Sequence, residues 1–209
     1  MKYLEKNRES LQKYYPEIAE RLEGKIEKEF EIDHVSTRED ARAMVVTGEA
    51  GTVRFNSTYR PLQEAVKWAD QYSFQNIDIN VLMFGLGNGI FVRELLKRLA
   101  KDSRLFLVEP REEIFSDVLE NEDISDILAD ERLHLYVGAD YELDFRNTVG
   151  DAVNWDNLST QIRCEHPGYQ KLLQKEYHIF WDAVDRINDS MVIKANTNAY
   201  FAHQAVDNI

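Results

Sequence analysis

The 209-residue sequence predicts an α/β fold: a mostly parallel sheet flanked by helices, with a small N-terminal helix and β-hairpin element and C-terminal helices. Three observations carry this. Short apolar runs at Ile79–Phe84, Arg104–Val108 and Leu133–Val137 alternate with amphipathic stretches of helical spacing. Runs of that kind, with no polar alternation, suit strands buried on both faces. A glycine-rich turn follows the first run, and a separate cluster of extended segments precedes it.

In chain order, residues 2–23 carry Tyr3, Leu4, Leu11, Tyr14, Tyr15, Ile18 and Leu22 at three- and four-residue spacing, the pattern of an amphipathic helix. Pro16 interrupts it and suits the first turn of a second helix, and Gly24 suits a stop. Phe30, Ile32 and His34-Val35 predict a short strand. Ala43–Val46 and Thr52–Phe55 predict two more, joined by a hairpin turn at Gly48-Glu49-Ala50-Gly51.

From Pro61 helix and strand alternate. Pro61–Tyr72 reads as a helix with Leu62, Ala65, Val66 and Ala69 inward, then Ile79–Phe84 as a central strand. Asn88–Lys101 is a helix with Ile90, Phe91, Leu95, Leu96 and Leu99 inward, and Arg104–Val108 the next strand. Arg111–Leu119 and Asp123–Leu128 are helical, Leu133–Val137 is a strand, and Tyr141–Val153 is a helix. The order implies right-handed β-α-β crossovers. Leu158–Cys164 adds a last strand, ended by His166-Pro167-Gly168. Two helices are expected after it, Tyr169–Ile187 and about Ser190–Ile209. The second shows no stop signal, so the chain is expected to be one piece of a longer protein. The expected division is an N-terminal element over 1–60, an α/β core over 61–168 and linking helices over 169–209.

Composition narrows the function. Hydrophobic residues make up 44% and charged residues 30%, which is ordinary for a globular chain. The net charge of −13 opposes phosphate backbones and anionic membrane surfaces, so neither nucleic acid nor membrane is an expected partner. No apolar stretch has signal or transmembrane length, and a cytoplasmic location is expected. Cys164 is the lone cysteine and excludes an intrachain disulfide. The histidines at 34, 134, 166, 178 and 203 show no metal-ligand spacing, and no metal is expected.

The chemistry, if any, centres on Phe84-Gly85-Leu86-Gly87-Asn88-Gly89, which follows a buried strand and opens a helix. Glycines there allow positive φ and close ligand approach, and the helix start presents free N–H groups. Glu109 ends the next strand, where a carboxylate commonly accepts hydrogen bonds from a ribose diol. Gly85, Gly87, Gly89 and Glu109 are therefore the candidate cofactor site, for a nucleotide, a nucleotide-sugar such as a CMP-sugar, or S-adenosylmethionine. The Gly-x-Gly-x-Gly spacing with Glu109 is similar to S-adenosylmethionine-dependent methyltransferases, which makes the fold Rossmann-like and methyltransferase-like. Two features depart from that pattern. Met83 stands where those enzymes place an acid, and Val137–Tyr141 lacks an Asn/Asp-Pro-Pro motif. Glycines at a tight strand–helix turn also serve packing alone.

A second resemblance spans nearly the whole chain. Tyr3-Leu4-Glu5-Lys6-Asn7, then Tyr14-Tyr15-Pro16-Glu17, then Asn56-Ser57 before Tyr59-Arg60-Pro61 come first. Val81–Gly89 with Glu94-Leu95-Leu96, Val108-Glu109-Pro110 and His166-Pro167-Gly168-Tyr169 follow in order. The ordered set resembles the N-terminal region of the motility accessory factor (Maf) family of bacterial flagellin glycosyltransferases. The resemblance implies a parent protein that moves a nonulosonic acid from its CMP-activated form to Ser or Thr of flagellin. This region would precede the catalytic domain, hold no catalytic residue, and serve flagellin docking or domain assembly; an oligomer is compatible with it. A stand-alone methyltransferase is the alternative.

Other clusters read as structural. Asp182, Asp185 and Asp189, near Glu176, suit a solvated helix face paired with Lys171, Lys175 or Arg186. The aromatics Trp155, Tyr169, Tyr177, Phe180, Trp181, Tyr200 and Phe201 suit packing over the sheet or against a further domain.

Overall fold

A computed structural model describes residues 3–49, 51–74, 78–153 and 160–207, with the side chains of 194–196 and 198–207 left aside. Two sheets form. A three-stranded antiparallel sheet pairs β1 (Glu31–Ser36), β2 (Arg42–Gly48) and β3 (Gly51–Arg54) in sequence order. Gly48 faces Gly51 at its hairpin end. A four-stranded parallel sheet contains β4 (Asn80–Phe84), β5 (Arg104–Glu109), β6 (Leu133–Val137) and β7 (Ile162–Glu165) in the order β6-β5-β4-β7. The protein is thus α/β, with its parallel sheet flanked by helices.

The parallel sheet follows from its sequence. Every residue of β4 is buried, as are Leu105–Glu109 of β5, because crossover helices cover a parallel sheet on both faces. Val81 pairs with Leu105 on one side and Ile162 on the other, and Leu105 pairs in turn with Leu133. The last strand is shorter than the run Leu158–Cys164. It is only Ile162–Glu165, and residues 158 and 159 lie outside the described residues.

Helix α3 (Pro61–Ala69) leads into the parallel sheet, and the crossover helices are α4 (Ile90–Arg98), α5 (Glu112–Asn121), the short α6 (Ser125–Leu128) and α7 (Glu142–Ala152). All five expected apolar positions are buried, four in α4 and Leu99 at its C-terminal cap. In α3 the inward face is rotated. Ala65, Trp68 and Ala69 are buried, whereas Leu62 and Val66 are 42% and 40% exposed. Trp68 sets this rotation: its ring meets Phe91 of α4 edge-on at 4.8 Å, and its indole N–H donates to the Glu165 carbonyl at 3.0 Å. A large aromatic with a polar tip outweighs two aliphatic side chains.

At the N-terminus, α1 (Leu4–Tyr14) and α2 (Pro16–Arg21) break at Tyr15, with Pro16 opening α2. Buried Asn7 anchors α1. Its amide nitrogen donates to the carbonyls of Leu119 (2.9 Å) and Glu122 (2.6 Å), and its oxygen accepts the Ile124 N–H at 3.0 Å. One side chain therefore meets two free carbonyls at and just past the end of α5.

The C-terminal helices differ from the expected pair. A single turn, α8 (Tyr169–Leu172), leads into one continuous helix, α9 (Gln174–Asp207, 34 residues), with no break near Ser190. Neither glycine nor proline occurs between Gln174 and Asp207 to stop it. Tyr177, Phe180, Trp181, Val184 and Ile187 of α9 are buried, and Phe180 packs on Phe84 of β4 at 5.1 Å. The acidic row on this helix is solvated, but its cations come from elsewhere: Arg163 pairs with Asp185 at 2.5 Å and Arg111 with Glu176 at 2.6 Å. Trp155, and the side chains of Tyr200 and Phe201, lie outside the described residues.

Candidate functional site

The carboxyl end of the parallel sheet is where this architecture forms a crevice. From β4 the chain steps through β5 to β6 on one side, then returns as β7 on the other. Loops leaving β4 and β7 diverge at that switch point, and ligands of open α/β sheets bind there.

The structure brings Gly85, Gly87 and Glu109 together at this point, whereas Gly89, at the start of α4, lies against Ile124 and Ile127. Gly85 and Gly87 hold φ of +96° and +57°, open to glycine and strained for other residues. The Gly85 N–H donates to the Val108 carbonyl at 2.7 Å, which seats the turn over β5. Asn88 ties it to the small sheet, donating to the Arg42 carbonyl at 2.9 Å.

The crevice is filled by the protein itself. Between β7 and α8, the turn His166-Pro167-Gly168-Tyr169 folds back over the glycines. A β-carbon on Gly85 would lie 2.2 Å from the Tyr169 ring, and one on Gly87 would lie 2.4 Å from His166 Nε2. Thus the two glycines let Tyr169 and His166 approach the backbone more closely than any side chain in their place would allow. Phe55, just past β3, closes the outer side, with ring centroids 4.7 Å from Tyr169 and 5.2 Å from His166.

The hydrogen bonds are taken as well. The Gly87 N–H donates to the Tyr169 hydroxyl at 3.0 Å, and that hydroxyl donates to a carboxylate oxygen of Glu109. The same oxygen accepts the Leu86 N–H at 3.0 Å, and the other accepts the Arg111 N–H at 3.1 Å. Burial pushes the Glu109 carboxyl up to about 7, against the lowering effect of these donors. Burial likewise carries the Tyr169 phenol well above its ordinary value, with Glu109 adding to the effect. His166 is pulled down to about 3 because burial disfavours its charged form.

This arrangement orders a strand–helix turn and seats the Tyr169 hydroxyl against Glu109. The glycines and Glu109 were legible from their spacing; the occupants Tyr169, His166 and Phe55 were not. The available signal was an aromatic following Pro167-Gly168, at the end of the strand beside the glycine turn. Elsewhere, Cys164 is buried in β7. Among the described residues, no group of three or more His, Cys, Asp or Glu is placed to hold a metal, and no helix is long and apolar enough to cross a membrane.

Solved structures that resemble this chain include a glycosyltransferase and a synthase. The Maf glycosyltransferase from Magnetospirillum magneticum AMB-1 matches it with a TM-score of 0.50 at 14% identity, over 72% of this chain and 29% of that one. The spermidine synthase from Thermotoga maritima matches with a TM-score of 0.36 at 15% identity, over 56% of this chain and 43% of that one. At such identities the first likeness is one of fold, and this chain spans under a third of that glycosyltransferase. No family model and no curated protein matches the sequence.

Proposed function

We propose that this chain is the non-catalytic N-terminal domain of a Maf-type glycosyltransferase, serving acceptor docking or assembly with the catalytic domain. The observation that carries the non-catalytic part is the self-filled crevice. Tyr169 and His166 stand where a nucleotide or S-adenosylmethionine would lie, and Glu109 is hydrogen-bonded to Tyr169. The shared fold with the Magnetospirillum enzyme supports the family assignment, as does the ordered set of local sequence features. By this reading the parent protein transfers a nonulosonic acid from a CMP-activated donor to flagellin Ser or Thr, in the cytoplasm, and this domain has two partners. They are flagellin and the catalytic domain of its own chain.

Calorimetry tests the reading directly. Titration with CMP, S-adenosylmethionine and S-adenosylhomocysteine is expected to give no heat at high micromolar ligand. Saturable binding of S-adenosylmethionine, abolished by Gly87→Trp, would favour a methyltransferase instead. For the docking role, purified flagellin monomer is expected to associate with the chain in solution. If neither flagellin nor the parent catalytic domain associates, the docking and assembly role is removed.

A further inference from the structure

We propose that the outer edge of β6 is a docking slot for an extended basic segment of a partner protein. The segment pairs its backbone with Leu135 and sets a Lys or Arg side chain against Glu17, Asp140 and Asp144. The inference stands apart from the glycine-turn crevice and does not depend on the family assignment.

β6 ends the parallel sheet, so one side of its backbone has no neighbouring strand. The ladder to β5 fixes which groups face outward. The Leu105 N–H donates to the Arg132 carbonyl at 2.8 Å, and the Gly138 N–H donates to the Glu109 carbonyl at 2.9 Å. His134 and Tyr136 therefore turn their N–H and C=O toward β5, and Leu133, Leu135 and Val137 turn theirs away.

The N-terminal helices cover the carbonyls at both ends of this row. The Tyr15 hydroxyl donates to the Leu133 carbonyl at 2.9 Å. The Arg21 guanidinium donates to the Val137 carbonyl while pairing with Glu112 at 2.7 Å. Leu135, between them, keeps both its N–H and its C=O without a partner among the described residues. It presents a donor and an acceptor together, the pair that one residue of an antiparallel strand requires.

These groups open into a cavity of about 350 Å³ between α2, β6 and the turn into α7. That volume suits a short stretch of chain. Charge selects the occupant. Glu17, Asp140 and Asp144 line the cavity, all exposed, and none is in an ion pair among the described residues. Arg21, the cation among the lining residues, is neutralised by Glu112, and Lys13 lies over the Tyr14 ring at 4.8 Å. Tyr14 and Tyr141 add aromatic walls against which the stem of a Lys or Arg packs. A basic segment gains both the backbone bonds and the three carboxylates, whereas an acidic one gains the bonds against opposing charge.

Amide NMR of the full chain, titrated with acetyl-Thr-Lys-Thr-amide, tests this. The Leu135 amide is expected to shift downfield and saturate with a Kd of about 1 mM, as suits two hydrogen bonds and an exposed charge cluster. The Leu86 and Gly87 amides should stay unmoved. Three changes should each weaken binding at least about fivefold: N-methylation of the peptide at lysine, its replacement by glutamate, and Asp140→Asn with Asp144→Asn in the protein. Both aspartates are exposed, so that variant is expected to fold. A Leu135 amide unmoved at about 10 mM peptide overturns the slot. So does equal binding of the N-methylated or glutamate peptide, or a response at Leu86 and Gly87 in place of Leu135.

Discussion

Phe55 lies against Tyr169 with ring centroids 4.7 Å apart, so the small antiparallel sheet and the parallel sheet meet through the residue that fills the crevice. Gly168 sits at the same junction. A β-carbon there would come 2.5 Å from the Phe55 ring. Gly168→Ala is therefore expected to destabilise the protein by about 1–3 kcal/mol through overpacking. Adding Phe55→Leu should recover part of that loss. Urea unfolding of both variants checks it, and strict additivity would show that the two positions are not coupled.

Gly85→Ala should be far more damaging. The backbone there holds φ of +96°, and the new methyl would lie 2.2 Å from the Tyr169 ring. Strain and clash act together, so the expected cost is about 3 kcal/mol or more. Gly51→Ala is the control: φ is also positive at +102°, but nothing lies within 4 Å. Its expected cost is about 1–2 kcal/mol, from backbone strain alone. Equal melting-temperature losses in the two variants would contradict the packing argument.

His34 couples stability to alkaline pH. Burial opposes its charge, but hydrogen bonds to Asp117 at 2.6 Å and Glu122 at 3.1 Å outweigh that and raise it from 6.5 to about 9. A raised basic group contributes fully below its unfolded value and is lost as pH climbs through its folded one. Stability should therefore fall by about 1–2 kcal/mol between pH 6.5 and 9, partial solvation of the carboxylates reducing the effect. In His34→Gln that decline should vanish, as read by chemical denaturation at several pH values.

Asn7→Ala should loosen the N-terminal helix. It removes three hydrogen bonds to Leu119, Glu122 and Ile124 and leaves buried backbone groups unpaired. A loss of about 2–4 kcal/mol is expected. Asn7→Asp keeps the Ile124 bond but presents a carboxylate to two carbonyls, and should be no better. Thermal melts of the two variants decide this; a change under half a kcal/mol in Asn7→Ala would remove the anchoring role.

The sequence by itself determined the architecture. The apolar runs at Ile79–Phe84 and Arg104–Val108 have no polar face, so they had to be covered on both sides, and the helical periods around them supply the cover; Leu133–Val137, with His134 and Tyr136 alternating, is the half-covered edge strand. The glycine turn and Glu109 were legible for the same local reason: spacing along one strand–turn–helix unit. Tertiary structure alone decided which face of α3 turns inward, because Trp68 finds Phe91 only once α4 is in place. It also decided what occupies the crevice. Tyr169 is eighty-two residues from Gly87 along the chain, and no local period records that contact. Pairing β7 beside β4 carries the tyrosine there, and the buried carboxyl of Glu109 then meets a hydroxyl of its own protein.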